Sequence, residues 1–494
     1  MSSARLACLL AASTLAACGV PAESSRPQAP IATAPVAGAA KTKPPTADDP
    51  TGGTNTPYCD RATRPEIGVA EVSRRALSER SWEITLASKA MQRDEHITVT
   101  LPVNYDASGR TRYPVLYLLH GSLDNHLAWW NNGAEAVIGE RQLIVVTPND
   151  SANGSYTDWY GSFTGSGETP PKWESFHVRE VIPFVEANFP VRADAAGRSV
   201  AGLSSGGHGA MKYAAANPGL FGSAGSFSGA VNTTYSFPAG TYSYPLTEAG
   251  LGATSLIPTQ GPIHHCAFGD MVVQEAYWKD NDPTYLAENL EGIPLWLSTG
   301  DGTPGPYDAV PYADPVELQV SYMTLAFAAQ LDRYAIPWAN DLYGAGTHSW
   351  PYWLRDLGLF LNWLEPQFQR SALAAPVKFA YRSARPEFSA WDWHFAIHRN
   401  VQEFVYLDDV HAGGFTVAGS GVLDVLSAPL YAAGAAHEIV IGEARSRATA
   451  DAEGRLLFSV DLGPAHAENQ RDFSDTAADT WEQRQLRIAP GVTP

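Results

Sequence analysis

A serine flanked by glycines occurs at residues 202–206, which read GLSSG. Glycine and serine are both common in turns, so this pattern alone is a weak signal. Its surroundings strengthen it, because an apolar run enters the motif and an alanine-rich segment leaves it. A strand, a sharp turn and a helix in this order expose a serine hydroxyl at the edge of a sheet. We therefore predict that Ser204 is a nucleophile.

A serine hydroxyl is a poor nucleophile until a base takes its proton, and that base is commonly a histidine. His348, in GAGTHSWPYW, follows the apolar run WANDLYG and precedes a long apolar segment, which is where the base is expected. His208 lies one turn after the serine, and His264 and His265 lie in a predicted loop. Position along the chain favours His348.

Two carboxylates are candidates for the group that orients this histidine. Asp301 ends the apolar run IPLWLSTGD, the usual position of the acid in this arrangement. Glu317 lies further along the chain, at the start of a predicted helix. The residue pattern alone leaves both open.

The negative oxygen that forms when serine attacks a carbonyl needs two preorganised N–H donors. One donor usually follows the nucleophile, and the other lies in a loop after an early strand. Ser205 supplies the first position, and Ser122 follows the apolar run that ends in LLHG. We predict that the backbone N–H groups of these two serines form an oxyanion hole.

The elements that must position these residues alternate between strands and helices. Apolar, β-rich runs occur at 96–103, 113–121, 143–150, 198–204 and 293–301, and helix-like segments occur at 173–189, 206–218 and 315–334. This alternation predicts a parallel sheet covered by helices. Together with the serine turn, it predicts an α/β-hydrolase fold, a mostly parallel central sheet flanked by helices, over residues 58–372.

The pattern changes after about residue 375 to short alternating runs separated by glycine, aspartate and proline. Such runs predict a smaller all-β, sandwich-like C-terminal domain over residues 376–494. The aromatic segment FSAWDWHFAIH at 388–398 could bind carbohydrate, but core packing is favoured because strands commonly bury aromatic side chains. A cell-wall polymer is a candidate partner of this domain.

The N-terminal sequence MSSARLACLLAASTLAACGV has one arginine, a short apolar stretch and small residues before Cys18. This order is typical of an export signal rather than a spanning helix. LAAC resembles a bacterial lipobox, in which Cys18 would carry a lipid, and an ordinary secretory signal is the alternative. We expect a lipoprotein-type signal peptide over 1–18, a disordered Pro/Ala/Thr linker over 19–57, and a cell-envelope or secreted location.

The formal net charge of −19 over 494 residues argues against nucleic acid as a partner. It also argues against electrostatic docking on anionic lipid, so membrane contact is expected only through the lipid anchor. In an oxidising compartment, Cys59 and Cys266 are predicted to form a disulfide, with two free thiols as the alternative. No metal-ligand spacing is seen in the sequence, so neither a metal nor a cofactor is expected.

Several stretches between about residues 95 and 365 match one known family: YLLHG, YTDWY, KWESF, GLSSGG, WKDNDP, LWLSTGDGTPG and GTHSWPYW. They resemble the secreted mycolyltransferases of the antigen 85 type, within the esterase D-like α/β hydrolases. The resemblance implies a triad of serine, glutamate and histidine and places the glutamate at Glu317. In that family the position of Asp301 is an asparagine, although Asp301 still matches the general hydrolase pattern.

Two positions depart from the mycolyltransferase pattern. Those enzymes carry an acidic residue and an arginine that hold trehalose, where this chain has His120 and Leu123. Losing both charged groups removes the bonds that specify a polyol, so trehalose is not the expected acceptor. His120, Leu123, Trp159 and Trp350 are candidate substrate-binding residues, with core packing as the alternative for the tryptophans.

These observations predict an exported serine esterase or acyltransferase that forms an acyl-enzyme from a small or lipid acyl ester. Water as the acceptor would make it an esterase, and an alcohol or sugar would make it an acyltransferase. The sequence selects neither acceptor, and it leaves the oligomeric state open. The alternative is a non-catalytic cell-surface binding protein on the same fold, against which the presence of all three triad residues argues.

Overall fold

The structure is a computed structural model that describes residues 41–47, 59–152, 154–163, 165–234, 266–270, 272–474 and 477–490. The predicted signal peptide with Cys18, most of the predicted linker, His264 and His265 lie outside the described residues. Within the described ranges, no helix has the length and apolar content needed to cross a bilayer. Residues Ala39–Pro494 belong to one compact unit.

A nine-stranded sheet forms the centre of the N-terminal region. Its strands are β2 (Val69–Ala76), β3 (Ser81–Ser88), β4 (Arg93–Thr100), β5 (Val115–Leu119), β6 (Ile144–Pro148), β8 (Arg198–Leu203), β9 (Ser223–Phe227), β10 (Leu295–Gly300) and β11 (Trp338–Gly344). Their order is β11-β10-β9-β8-β5-β6-β4-β3-β2. The six strands from β11 to β6 run parallel, and β4, β3 and β2 continue the sheet as antiparallel neighbours. The predicted α/β-hydrolase fold is thus confirmed.

Helices cover both faces of this sheet. They are α1 (Ala128–Asn131), α2 (Ala134–Ile138), a π-helical segment Ser175–Val181 that continues into α3 (Ile182–Asn188), α4 (Ser205–Ala216), α5 (Glu275–Asp280), α6 (Pro315–Arg333) and α7 (Trp350–Phe368). On one face, Leu116 and Leu203 pack against Phe360 of α7 in a buried cluster. The parallel strands β5 and β6 are buried on both faces, and their sequences, VLYLL and IVVTP, are nearly continuous apolar runs.

The C-terminal region consists of two antiparallel sheets. Its strands are β12 (Phe379–Ser383), β13 (Glu387–Ala390), β14 (Trp393–His398), β15 (Val405–His411), β16 (Gly414–Ala418), β17 (Val422–Leu426), β18 (Ala436–Ile441), β19 (Ala444–Thr449), β20 (Leu457–Asp461) and β21 (Gln483–Pro490). One sheet has the order β12-β15-β16-β21-β18-β19 and the other β13-β14-β17-β20. Trp393 and Phe395 of the smaller sheet contact Phe415 of the larger. The aromatic segment therefore packs the core of a sandwich.

Three connections near the N-terminal end of the described chain hold it against the rest of the protein. Cys59, in β1 (Cys59–Arg61), forms a disulfide with Cys266. This short strand pairs with β7 (Gly161–Phe163). Within the predicted linker, residues 41–47 lie against the sandwich, and the N–H of Ala47 donates to Glu387 Oε1 at 2.8 Å.

A buried ionic network joins the sandwich to the α/β region. Arg385, in the loop between β12 and β13, donates to both carboxylate oxygens of Glu174 at 2.6 and 3.1 Å and to Asp280 at 3.0 Å. Lys212 of α4 is fully buried and lies 2.7 Å from Glu174. Burial alone would raise the pKa of Glu174, but Arg385 and Lys212 outweigh it and lower the pKa to about 2.

We expect the Arg385→Met variant to lose at least about 2 kcal/mol of unfolding free energy at pH 7, because Glu174 and Asp280 lose a buried cation. In the wild type, the lowered pKa of Glu174 contributes stability above pH about 4.5 that is lost as the pH falls toward 2. The variant should lose much of this acid dependence. Urea unfolding at pH 7 and pH 3 measures both effects.

The matched control is Arg445→Met, which removes an exposed ion pair with Glu438 (3.0 Å). This change should cost less than about 1 kcal/mol. Equal losses in the two variants would show that the buried network contributes no more than a surface pair.

Candidate active site

Ser204 lies in the sharp turn between β8 and α4. Its backbone angles are φ 52° and ψ −120°, a strained conformation for a residue with a side chain. A Cβ atom on Gly202 would lie 2.5 Å from the backbone of Gly206, and one on Gly206 would lie 2.5 Å from the His120 carbonyl oxygen. Only glycine fits at these two positions, so the GLSSG pattern follows from the packing of this turn. The turn places Ser204 just beyond the carboxyl end of β8.

The three residues of the predicted triad are joined by hydrogen bonds. Ser204 Oγ lies 2.9 Å from His348 Nε2, and His348 Nδ1 lies 2.8 Å from Glu317 Oε2. Ser204 follows β8, Glu317 lies in the first turn of α6, and His348 lies between β11 and α7. A carboxylate that accepts a hydrogen bond from Nδ1–H keeps the proton on Nδ1 and leaves Nε2 unprotonated toward the serine. This arrangement can remove a proton from Ser204 as its oxygen attacks a carbonyl carbon.

The Glu317 side chain is completely buried, and both of its oxygens are bonded. Oε1 accepts from the Ser228 hydroxyl at 2.8 Å, the Thr299 hydroxyl at 2.9 Å and the Gly300 N–H at 2.7 Å. Oε2 faces His348. These donors offset the cost of burying a carboxylate and fix its orientation.

Asp301, the rival acid, makes different contacts. Its side chain is exposed, and its Oδ1 accepts the N–H of Thr303 at 2.8 Å, which closes the turn after β10. Its backbone N–H donates to the Gly344 carbonyl at 2.7 Å. Among the described hydrogen bonds it has none to His348. The strand ends one residue earlier, at Gly300, and the chain then turns outward.

Asp314 connects the acid and the base, and the sequence analysis missed it. Its Oδ1 caps α6 by accepting the N–H groups of Val316 at 2.8 Å and Glu317 at 3.3 Å. Its Oδ2 accepts the backbone N–H of His348 at 2.9 Å. The Asp-Pro pair at the start of the helix is a capping signal that could have identified it. Asp314 is therefore a positioning residue for Glu317 and His348.

We expect Asp314→Ala to lower kcat for ester substrates by about 10- to 100-fold with little change in KM, because the His348 loop and the Glu317 helix lose a common anchor. Asp314→Asn keeps an acceptor oxygen and should recover part of this loss. Steady-state kinetics on a chromogenic ester measure both variants. Asp194→Ala is the control. It removes the N-cap of the short 3₁₀ helix before β8, at the end of the strand that is opposite to Ser204. Equal kcat values in the two alanine variants would contradict the positioning role.

The N–H groups of Ser205 and Ser122 are the predicted oxyanion donors. Ser205 is the first residue of α4, where N–H groups have no acceptor within the helix. A Cβ on Gly121 would lie 3.4 Å from the Cβ of Ser204, so the loop after β5 runs beside the serine. Neither N–H group has an acceptor among the described residues, whereas the N–H of Leu123 donates to a carbonyl oxygen at 2.7 Å. Both N–H groups are thus unpaired in the part of the chain that the structure describes.

His120, predicted as a substrate-binding candidate, is completely buried. Its Nδ1 lies 2.8 Å from the Gly121 carbonyl, and its Nε2 accepts the Asp150 N–H at 2.9 Å. Burial lowers the pKa of His120 to about 4, so the ring is neutral at pH 7. These contacts hold the loop that carries Ser122 and leave no ring nitrogen for a substrate.

The other candidates lie in different surroundings. Trp159 is buried and lines a cavity of about 440 Å³ between the α/β region and the sandwich, which no described triad residue lines. Trp350 is half-buried at the start of α7, and Leu123 is 55% exposed in the loop after β5. His208, the alternative base, is buried with its Nε2 2.8 Å from the Asn281 carbonyl. Trp350 thus lies two residues after His348, and Leu123 lies next to Ser122.

An exposed apolar surface flanks Glu317, and the sequence analysis did not identify it. Three side chains on one face of α6 are 38–49% exposed, namely Leu318, Tyr322 and Leu325, and Val316 is exposed on the other side of the helix. The preceding loop adds three more exposed apolar side chains: Tyr307, Val310 and Tyr312. Large apolar side chains grouped at a surface usually mark a binding region. The apolar surface is suited to an apolar ligand rather than to a charged one.

Comparisons with known proteins agree with this description. The family model described as a putative esterase matches residues 88–362. Esterase Rv1288 of Mycobacterium tuberculosis (strain ATCC 25618 / H37Rv) is 38% identical over 165 residues, which cover 33% of this chain and 35% of the relative. The match thus spans about a third of that relative. The diacylglycerol acyltransferase/mycolyltransferase Ag85B of Mycobacterium leprae (strain TN) is 29% identical over 279 residues, covering 54% of this chain and 79% of the relative.

Two solved structures are similar to part of the chain. MPT51 (FbpC1) of Mycobacterium tuberculosis has 21% identity and a TM-score of 0.45, with 57% of this chain and 96% of that chain covered. An S-formylglutathione hydrolase from Agrobacterium tumefaciens has 17% identity and a TM-score of 0.45, with 60% of this chain and 99% of that chain covered.

The resemblance to the mycolyltransferases that the motifs predicted is confirmed by the relatives found. The family model covers more than half of the chain and contains the residues 204, 317 and 348 of the predicted triad. The chain belongs to the putative esterase family.

Proposed function

We propose that the protein is a serine esterase or acyltransferase that acts on acyl esters through an acyl-enzyme on Ser204. The observation that carries the proposal is the hydrogen-bonded chain from Ser204 through His348 to Glu317, at 2.9 and 2.8 Å. Two free N–H donors beside the serine add to it. This combination of a nucleophile, a base, an orienting carboxylate and oxyanion donors is suited to acyl transfer.

In the first half of the reaction, Ser204 Oγ attacks the ester carbonyl carbon while His348 Nε2 takes the hydroxyl proton. The carbonyl oxygen becomes negative and accepts hydrogen bonds from the N–H groups of Ser122 and Ser205. The bond to the alcohol oxygen then breaks, and His348 returns the proton to the leaving alcohol. Glu317 stabilises the charged imidazole throughout without taking its proton.

In the second half, an acceptor hydroxyl gives its proton to His348 and attacks the acyl carbon. The bond between this carbon and Ser204 Oγ then breaks, and His348 returns the proton to Ser204 Oγ. Water releases a free acid, and an alcohol releases a new ester. The apolar surface around Glu317 supports a substrate with an apolar acyl chain. Export through the signal at 1–18, with a lipid on Cys18, belongs to the same proposal and is supported by the sequence pattern.

Product analysis tests the proposal and selects the acceptor. The purified protein is given an activated medium-chain ester, alone or with glycerol or trehalose, and the products are identified by mass spectrometry. Free acid that requires Ser204 supports an esterase, and acylated glycerol or trehalose supports an acyltransferase. No product above the Ser204→Ala background would overturn the proposal.

The alternative is a cell-surface binding protein with an inactive site on the same fold. A fluorophosphonate probe reacts with an activated serine and therefore distinguishes an active enzyme from an inactive binding protein. Labelling at Ser204 of the folded protein would exclude the alternative, and no labelling would favour it.

A further inference from the structure

Three residues that are far apart in the sequence meet beside the oxyanion loop, defined here as residues 120–127. Glu83 lies on β3, His96 lies on the neighbouring strand β4, and His126 lies in the loop. Glu83 pairs with Thr98 and His96 pairs with Thr85 in the antiparallel ladder, so both side chains lie on one face of the sheet. No sequence motif announces this cluster because its members come from three separate elements.

The potential donor atoms of these residues face one another. One ring nitrogen of each histidine and one Glu83 carboxylate oxygen lie within 4.8 Å of each other. His126 Nε2 is 2.8 Å from Glu83 Oε1, and the two imidazole rings are stacked with centroids 5.0 Å apart. His96 Nδ1 lies 3.3 Å from the Thr85 hydroxyl, a long contact that leaves this ring weakly held.

Burial restricts the orientation of His126. The residue is only 7% exposed, yet its Nδ1 is buried without a hydrogen-bond partner among the described residues. The nitrogen that faces Glu83 is Nε2, so a metal ion in the cluster would be bound through Nε2. The other Glu83 oxygen accepts from Arg75 Nε at 2.7 Å, which turns Oε1 toward the rings. The Arg75 side chain is 64% exposed and can withdraw into solvent.

We propose that Glu83, His96 and His126 form a binding site for a divalent transition metal ion, with Zn²⁺ as the best match. Two imidazole nitrogens and one carboxylate oxygen are ligands that Zn²⁺ favours, whereas Mg²⁺ and Ca²⁺ favour oxygen alone. Bonds of about 2.0–2.1 Å put tetrahedral donors about 3.3 Å apart, so small side-chain rotations suffice. A fourth position would be open to water.

The site would attach the oxyanion loop to the central sheet. At present Thr98 Oγ1 donates to the backbone carbonyl of His126 at 2.8 Å. A metal ion would replace the hydrogen bond between His126 and Glu83 with coordination bonds to β3 and β4, four residues after Ser122. Binding of the ion does not depend on the proposed ester chemistry, so the two proposals can fail separately.

The test is Zn²⁺ binding by the full chain after treatment with a chelator, measured by isothermal titration and by the change in Tm. The wild type should bind one equivalent and melt at a higher temperature. His96→Gln should bind at least about 100-fold more weakly, since even loss of a supporting residue costs 10- to 100-fold. His96 is half-buried and weakly held, so this variant is expected to fold, which circular dichroism checks.

The matched control is His398→Gln, which removes a histidine from a pair with Asp424 (3.0 Å) in the sandwich. A two-residue pair lacks the third ligand, so this variant should bind Zn²⁺ like the wild type. Co²⁺ gives a second readout, because a tetrahedral site produces visible absorption bands that His96→Gln should lose. No saturable binding in the wild type, or unchanged affinity in His96→Gln, would overturn the proposal.

Discussion

Replacing Ser204 by alanine is expected to lower kcat/KM for an activated ester by at least about 10⁴-fold. The variant loses the hydroxyl oxygen that is proposed to carry the acyl group, while His348 and Glu317 keep their hydrogen bond. Loss of the covalent intermediate affects kcat rather than binding, so substrate affinity should be nearly unchanged. Steady-state assays on a chromogenic ester measure the loss of kcat/KM. Intact-protein mass spectrometry shows whether the acyl adduct forms.

The adjacent Ser205→Ala variant is the control for this experiment. Its side chain makes no described hydrogen bond, and its backbone N–H is retained, so turnover should stay within a few-fold of the wild type. If Ser204→Ala kept more than about a tenth of the activity, the ester would be cleaved elsewhere in the protein.

Glu317→Gln is expected to give the second largest effect, a loss of about 10³- to 10⁴-fold in kcat. The amide oxygen would keep its donors from Ser228, Thr299 and Gly300, so its NH₂ group would face His348 Nδ1. An NH₂ group donates to Nδ1 and favours the tautomer with the proton on Nε2. That proton points at Ser204, and the base is then unable to accept another.

Asp301→Asn is the matched control, because it changes the rival carboxylate in the same way. Asp301 is exposed and closes a turn, so its variant should keep kcat within about three-fold of the wild type. The opposite result, a large loss in Asp301→Asn and none in Glu317→Gln, would assign the acid to Asp301.

The sequence was sufficient for the parts of the fold and site that depend on local pattern. The buried strands β5 and β6 appear as apolar runs, and the crowded turn at Ser204 requires glycines that are visible in GLSSG. The acid was harder, because the strand-end rule indicated Asp301 and the family resemblance indicated Glu317. The contact that separates them, Glu317 with His348, joins a helix start to a distant loop.

Features that depend on distant packing had no local signal. β9 reads SAGSF, without an apolar run, because a Cβ on Gly225 would lie 2.6 Å from the Phe360 ring and only small residues fit there. His120 was considered a substrate ligand, although burial directs both of its nitrogens to the backbone. The cluster of Glu83, His96 and His126 likewise exists only once β3, β4 and the oxyanion loop are assembled.

The ionic network at Arg385 bears on how this protein could be shortened or recombined. A catalytic fragment that ended near residue 375 would keep Glu174, Lys212 and Asp280 but lose the cation that balances them. The fragment would carry an uncompensated negative charge beneath α4, the helix that begins at Ser205. The sandwich is thus not an interchangeable tail, and any replacement would have to supply a positive charge at the same point.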